Sequence, residues 1–204
     1  MKICDFFKFG SKLLSSTFQA GPVGLKKDTN GVSAHLNLIR GKYEEIDFAV
    51  LFKQDSGKKL TDILDTGYVG LYLVSDRMKN ILEENDVTGW KVFLIKLYDK
   101  KGNEVFGYHG FSVIGRCGPV DYEKSKIVEK PFVSGGPVCK FYKGLYIGLD
   151  SWDGSDFFLP GESCRSVITQ KAADVLKKNK ITNMQLYNLS EYETSVSNIK
   201  NSVS

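Results

Sequence analysis

The sequence predicts an α+β fold in a single domain, built on a mixed or antiparallel sheet that carries two equivalent strand–helix–strand units. Three observations support this. The stretch at about residues 71–93 returns, offset by 94 residues, at about 165–187, so that Val74 aligns with Ile168 and Thr88 with Thr182 without a gap. Several other stretches alternate apolar and polar residues with the period of a strand. The composition, 42% hydrophobic and 25% charged with 13 Phe and 10 Tyr, is that of a folded chain with large side chains for packing.

Within the repeat, Gly70 to Val74 is β-rich, Ser75 is a good N-cap, and Asp76 places a negative charge in the first helical turn. Met78, Ile81 and Leu82 form one apolar stripe, Asn85 and Gly89 mark the exit, and Trp90 to Leu97 returns to strand. The second copy uses Thr169 as cap, Ala172, Val175 and Leu176 as stripe, Asn179 at the exit and Met184 to Leu189 as strand. The exposed faces diverge, because Glu83 and Glu84 become Lys177 and Lys178.

The remaining elements follow in order. Met1 to Lys27 fits neither period, despite Phe6, Phe7, Phe9, Leu13, Leu14 and Phe18, and is expected to be irregular and packed on the body. Ser33 to Lys53 reads as short strands between glycines, with Ala34, Leu36 and Leu38 on one face and His35 structural. Lys59 to Asp65 carries Leu60, Ile63 and Leu64 at helical spacing and reads as a short helix. Asp99 to Asn103 is a turn, Glu104 to Gly115 a strand, Arg116 to Lys130 a polar loop, and Lys140 to Leu149 an alternating strand. The domain spans residues 1–190, and residues 191–204 are expected to be a mobile tail.

Composition also excludes function classes. A formal net charge of +4 is mild and spread along the chain, so it nominates neither a nucleic-acid binder nor an acidic mimic of nucleic acid. Four scattered cysteines with no C-x-x-C pair argue against a zinc site and fit a reducing compartment. Asp5, Lys8 and Lys12 break the N-terminal apolar run before a signal-peptide core of ~7 residues forms, and no run approaches the ~18–20 apolar residues of a membrane span. The cytoplasm is the expected location.

Chemistry leaves few marks. No nucleophile elbow, phosphate-cradling loop or H-E-x-x-H occurs, and no cofactor is indicated. An enzyme reading would rest on His109 with Cys117, or on the carboxylates Asp150, Asp153, Asp156 and Glu162. The spacing of the three aspartates is not that of an EF-hand, so Asx turns around a tight loop are the better account. A nucleic-acid reading would use Lys140, Tyr142, Lys143 and Tyr146 as a stacking platform.

The paired units, with the Leu-Asp-Ser-Trp-Asp-Gly-Ser-Asp-Phe-Phe stretch at Leu149 to Phe158 between them, resemble the bacterial Imm11 immunity family over about Gly67 to Glu193. The segment before Gly67 shows no firm match. The resemblance implies a non-enzymatic immunity protein of a polymorphic toxin system, whose partner is a cognate protein toxin rather than nucleic acid or membrane. Trp152, Asp153, Gly154, Ser155 and Asp156 match the family motif. For partner binding, aromatic anchors are expected at Trp152, Phe157 and Phe158, with Tyr142 and Tyr146 beside them and Asp153 and Asp156 in the same loop. The oligomeric state is left open.

Overall fold

The structure, a computed structural model, describes residues 2–24, 34–161 and 163–195. Glu162, the glycine break at Gly31 and the expected tail beyond Ser195 lie outside the described residues. In chain order the first strands are β1 (Phe6–Ser11), β2 (Gln19–Pro22), β3 (Val50–Ser56), β4 (Ile63–Asp65), β5 (Tyr72–Ser75), β6 (Trp90–Phe93), β7 (Ile95–Tyr98), β8 (Tyr108–Val113) and β9 (Gly115–Cys117). They continue as β10 (Val120–Asp121), β11 (Lys126–Pro131), β12 (Val138–Lys143), β13 (Tyr146–Ile147), β14 (Phe157–Pro160), β15 (Val167–Thr169), β16 (Met184–Asn188) and β17 (Glu193–Ser195). The helices are α1 (Ala34–Ile39), α2 (Asp76–Glu84) and α3 (Gln170–Lys178). The architecture is α+β, as predicted.

The 94-residue repeat is a repeat of hydrogen bonding as well as of letters. In the seven-stranded sheet the order β6-β8-β5-β4 builds one copy; in the five-stranded sheet β16-β1-β15-β14 builds the other. Registers match residue for residue: Ile63 faces Val74 and Leu64 faces Leu73, while Phe157 faces Ile168 and Phe158 faces Val167. Trp90 pairs with Val113 on β8, and Met184 pairs with Ser11 on β1. The N-terminal strand therefore supplies to copy two what β8 supplies to copy one. This corrects the expectation of an irregular N-terminus: β1 is a central strand, and its pairing partners lie far along the chain, where local periodicity carries no signal.

Both helices are capped as read. Ser75 Oγ accepts from the Met78 amide at 3.2 Å and Thr169 Oγ1 from the Ala172 amide at 3.3 Å. At the exits Asn85 donates to Ile81 O at 2.8 Å and Asn179 to Val175 O at 2.9 Å. The apolar stripes meet in one core cluster with Phe9, Phe111 and Phe157, where Phe157 lies edge-on to both other rings at 5.3 Å.

Two aspartates clasp the copies reciprocally. Asp62, just before β4, accepts from Ser75 Oγ at 2.9 Å and Arg77 at 2.7 Å in its own copy. It also accepts from the Thr182 amide at 2.8 Å and hydroxyl at 2.7 Å in the other copy. Asp156, just before β14, accepts from Thr169 Oγ1 at 2.8 Å and Lys171 at 2.9 Å in its own copy, and from the Thr88 amide at 3.0 Å in the other. Such an i-to-j and j-to-i exchange is the pattern of a twofold interface, here within one chain.

Other expectations are corrected. Ala34 and Leu38 lie on one face in either period, being four apart, and the segment is helix α1 rather than strand. Lys59 to Asp65 is not helical: Asp62 is drawn into the clasp, and Ile63 to Asp65 pairs with β5. Arg116 to Lys130 contains β10 and much of β11 instead of a loop. β11 is exposed on both faces, so its polar letters hide its strand. The strand expected over Lys140 to Leu149 breaks at Gly144, whose φ of 75° no strand accommodates. Residues Glu193 to Ser195 of the expected tail form β17 on β12.

Candidate partner-binding surface

The Trp152 loop is built to hold the fold. The Trp152 ring meets Phe6 edge-on at 5.6 Å and lies tilted on Phe158 at 5.7 Å, while its Nε1 donates to Ser155 O at 3.1 Å. Asp153 accepts from the Arg116 amide at 2.7 Å and the Ser155 amide at 3.0 Å. Ser155 is pressed against Gly115, where a β-carbon would sit 1.9 Å from its hydroxyl oxygen, so only glycine fits. Asp156 is the clasp described above. Burial disfavours its charge, yet Lys171, Thr88 and Thr169 outweigh that and hold its carboxyl below the usual range. Asp62 is held low in the same way, by Thr182, Ser75 and Arg77 against its own burial.

Phe157 and Phe158 are wholly buried, which corrects their reading as partner anchors: neither ring has surface to offer. Asp156, also buried, is likewise spent on the clasp. Tyr142 is half-buried, tilted on Tyr122 at 5.0 Å, and Tyr146 is 40% exposed on β13. Among the described residues no ring contact joins either tyrosine to Trp152.

The residues of the enzyme reading are kept apart. His109 Nε2 lies 2.6 Å from Asp76 Oδ1 on β8 of the seven-stranded sheet, whereas Cys117 ends β9 of the five-stranded sheet. The Cys117 thiol is buried, donates to Gly148 O at 3.1 Å and is pushed up by its burial. Among the described residues no three of His, Cys, Asp and Glu stand close enough to hold a metal ion. No helix among them is long and apolar enough to cross a membrane.

Open surface of another kind lies where the copies abut. One groove, of about 640 Å³, is lined by Lys8, Gly10 and Ser11 of β1, by Lys12 to Leu14 just after it, and by Asp65, Gly67 to Val69 and Tyr72. Its rim exposes Leu13 (74%), Leu14 (48%) and Val69 (69%). A second groove, of about 340 Å³, is its counterpart under the repeat: Leu159, Gly161 and Ser163 stand 94 residues beyond Asp65, Gly67 and Val69. Arg116 follows β8 there as Leu14 follows β1, with Arg40 and Lys42 completing the wall. The Arg116 side chain donates to Val113 O, Gly115 O and Arg40 O. The duplicated junction thus carries an apolar rim beside Lys8 and Lys12 at one site and a wall of Arg40, Lys42 and Arg116 at the other.

The two sheets differ beside these grooves as well. In copy one, Gly110 is sealed by the Phe93 ring, and the Ser112 hydroxyl donates to Leu38 O of α1 at 2.9 Å. At the matching places copy two carries Lys8 and Gly10, with Tyr187 in place of Phe93. Sequence reading missed Lys8, Gly10, Leu13, Leu14 and Val69. Their meaning depends on the β1 register, although two leucines with no periodic partners at residues 13 and 14 were a legible signal.

No curated protein matches the chain. A family model for the Imm11 immunity protein family matches residues 10–191, which takes in residues 10–66 of the N-terminal segment that sequence reading had left without a match. With nearly its whole length covered and both copies of the repeat included, the chain belongs to the Imm11 immunity protein family.

Proposed function

We propose that the chain is a non-enzymatic immunity protein that acts in the bacterial cytoplasm by binding and neutralising a cognate toxin of a polymorphic toxin system, and that the apolar-rimmed groove at the end of β1 is where the toxin docks. Family membership supports the immunity role. The observation that carries the site is the exposure of Leu13, Leu14 and Val69 around a concave floor.

Exposed apolar side chains that ring a concavity cost solubility and mark interaction sites in proteins that do not bury them internally. A stable inhibitory complex buries on the order of 1,600 Å² in all, with a few apolar anchors at its centre. The groove supplies such anchors on a rigid base, since β1 is hydrogen-bonded to strands on both sides. Phe132, Val133 and Val138 at the tip of the β11–β12 hairpin are also exposed, but they surround no groove among those described, so this surface ranks second. Trp152 and Asp153 are engaged within the fold, and neither they nor Tyr142 and Tyr146 line this groove.

The test is co-expression of the chain with the toxin encoded beside it, scored by growth, together with co-purification of the two. Protection with a stable complex supports the reading. Absence of both protection and complex overturns it.

A further inference from the structure

We infer that the groove at the end of β1 receives an acidic side chain of the toxin, flanked by apolar residues, with the carboxylate seated on Lys8 and Tyr72 over the bare backbone of Gly10. The inference rests on the toxin-binding reading and specifies the chemistry of the contact.

Three features converge. Lys8 is half-buried, yet among the described residues no carboxylate pairs with it; its ammonium lies 5.6 Å and 5.5 Å from the ring centres of Tyr187 and Tyr192. Rings stabilise a cation without neutralising it, so an opposite charge arriving from outside meets little competition. Desolvation first, and the nearby Arg165 charge second, lower the Lys8 ammonium from its ordinary value, which marks the same want of an anion.

Tyr72 is the second feature. It is buried, and its hydroxyl is pushed up to about 12 by burial and by the Asp65 charge, so it holds its proton at neutral pH. A phenol in that state donates to a carboxylate. Gly10 is the third. A β-carbon there would lie 3.5 Å from the Tyr72 hydroxyl oxygen and 3.8 Å from Lys8 Nζ, so both groups border the space left by the missing side chain.

The one carboxylate lining the groove does not serve as the partner. Asp65 accepts from Ser11 Oγ at 2.6 Å and from the Gly67 amide at 2.8 Å, so both of its oxygens are engaged within the chain. Lys12 adds a second positive charge to the lining. The occupant is therefore an acidic residue, and the rim of Leu13, Leu14 and Val69 asks for apolar neighbours on either side of it.

Two measurements on the full chain test this. In the first, N-acetyl-Leu-Glu-Leu amide is titrated into labelled protein and followed by NMR. The Gly10 and Ser11 amides and the Lys8 side chain are expected to shift, Lys8→Met is expected to abolish the response, and the Leu-Gln-Leu peptide to leave it absent. Equal shifts with the glutamine peptide, no shift with either, or the same shifts from inorganic phosphate at lower concentration would each overturn the acidic-residue site. A dimer in sedimentation that Lys8→Met dissolves would overturn it too, since a second copy would then be the occupant.

In the second, affinity for the neighbouring toxin is measured. Lys8→Met and Tyr72→Phe are each expected to weaken it by about 10- to 100-fold, while Lys8→Arg retains most of it. Full affinity in a folded Lys8→Met variant overturns the inference and leaves toxin binding intact. If the unaltered chain binds no toxin, the function falls, and the peptide titration alone decides the acidic site.

Discussion

The clasp and the grooves are both products of the same duplicated unit, and they have had opposite histories. At the clasp, Asp62 and Asp156 occupy equivalent positions, bind equivalent caps at Ser75 and Thr169, and reach equivalent threonines at Thr182 and Thr88. At the grooves Gly67 and Gly161 still correspond, but the side chains around them do not: Asp65 answers to Leu159, Val69 to Ser163, and Leu14 to Arg116. Interior positions answer to each other across the joint, so a change in one copy is felt by both. Groove positions answer to whatever binds there, and each is free to differ.

The comparison can be broken first at the centre of the joint. Phe157 lies between Phe9 and Phe111, so Phe157→Ala is expected to cost about 4 kcal/mol in urea unfolding, and to destabilise both copies in one transition. Two separable transitions would show that the copies fold independently.

Next comes the clasp itself. Asp62→Ala and Asp156→Ala are each expected to cost about 2 to 3 kcal/mol, and to cost nearly the same, because the donor sets correspond. Arg77 and Lys171 are half exposed, so solvent screens their share of this cost. A large difference between the two variants would mean that the equivalence is geometric only.

The same groups set the response to acid. Both carboxyls are held below their ordinary values in the folded chain, so the stability they contribute is full above the ordinary carboxylate range. It is lost as pH falls through that range towards the lowered folded values. Unfolding midpoints followed from neutral to acid pH should therefore fall, and should fall less steeply in Asp62→Asn and Asp156→Asn. An unchanged slope in both variants would remove the clasp from the account of acid sensitivity.

Much of the joint was legible in the letters. Caps, stripes and exits repeat at one spacing, and each is a local device whose physics acts over a few residues, so the two strand–helix–strand units stood out. The clasp was within reach: Asp62 and Asp156 keep the same 94-residue spacing, but Asp62 fell in a segment with helical periodicity and Asp156 in a loop already explained by Asx turns. The strand β1 was not legible, because its partners lie more than 150 residues away and its Phe-Phe-Lys-Phe-Gly letters alternate only once the register is known. Of the groove only Leu13 and Leu14 stood out, and the anchors were assigned to Phe157 and Phe158, whose aromatic character belongs to the core.

The most direct test of the division between shared joint and diverged groove uses one variant and two readouts. Leu14→Asp with Val69→Asp alters only exposed groove side chains, and is expected to shift stability by no more than about 0.5 kcal/mol while abolishing protection against the toxin. Protection at the unaltered level in this variant, with its fold intact, would contradict the account and move the partner site elsewhere on the molecule.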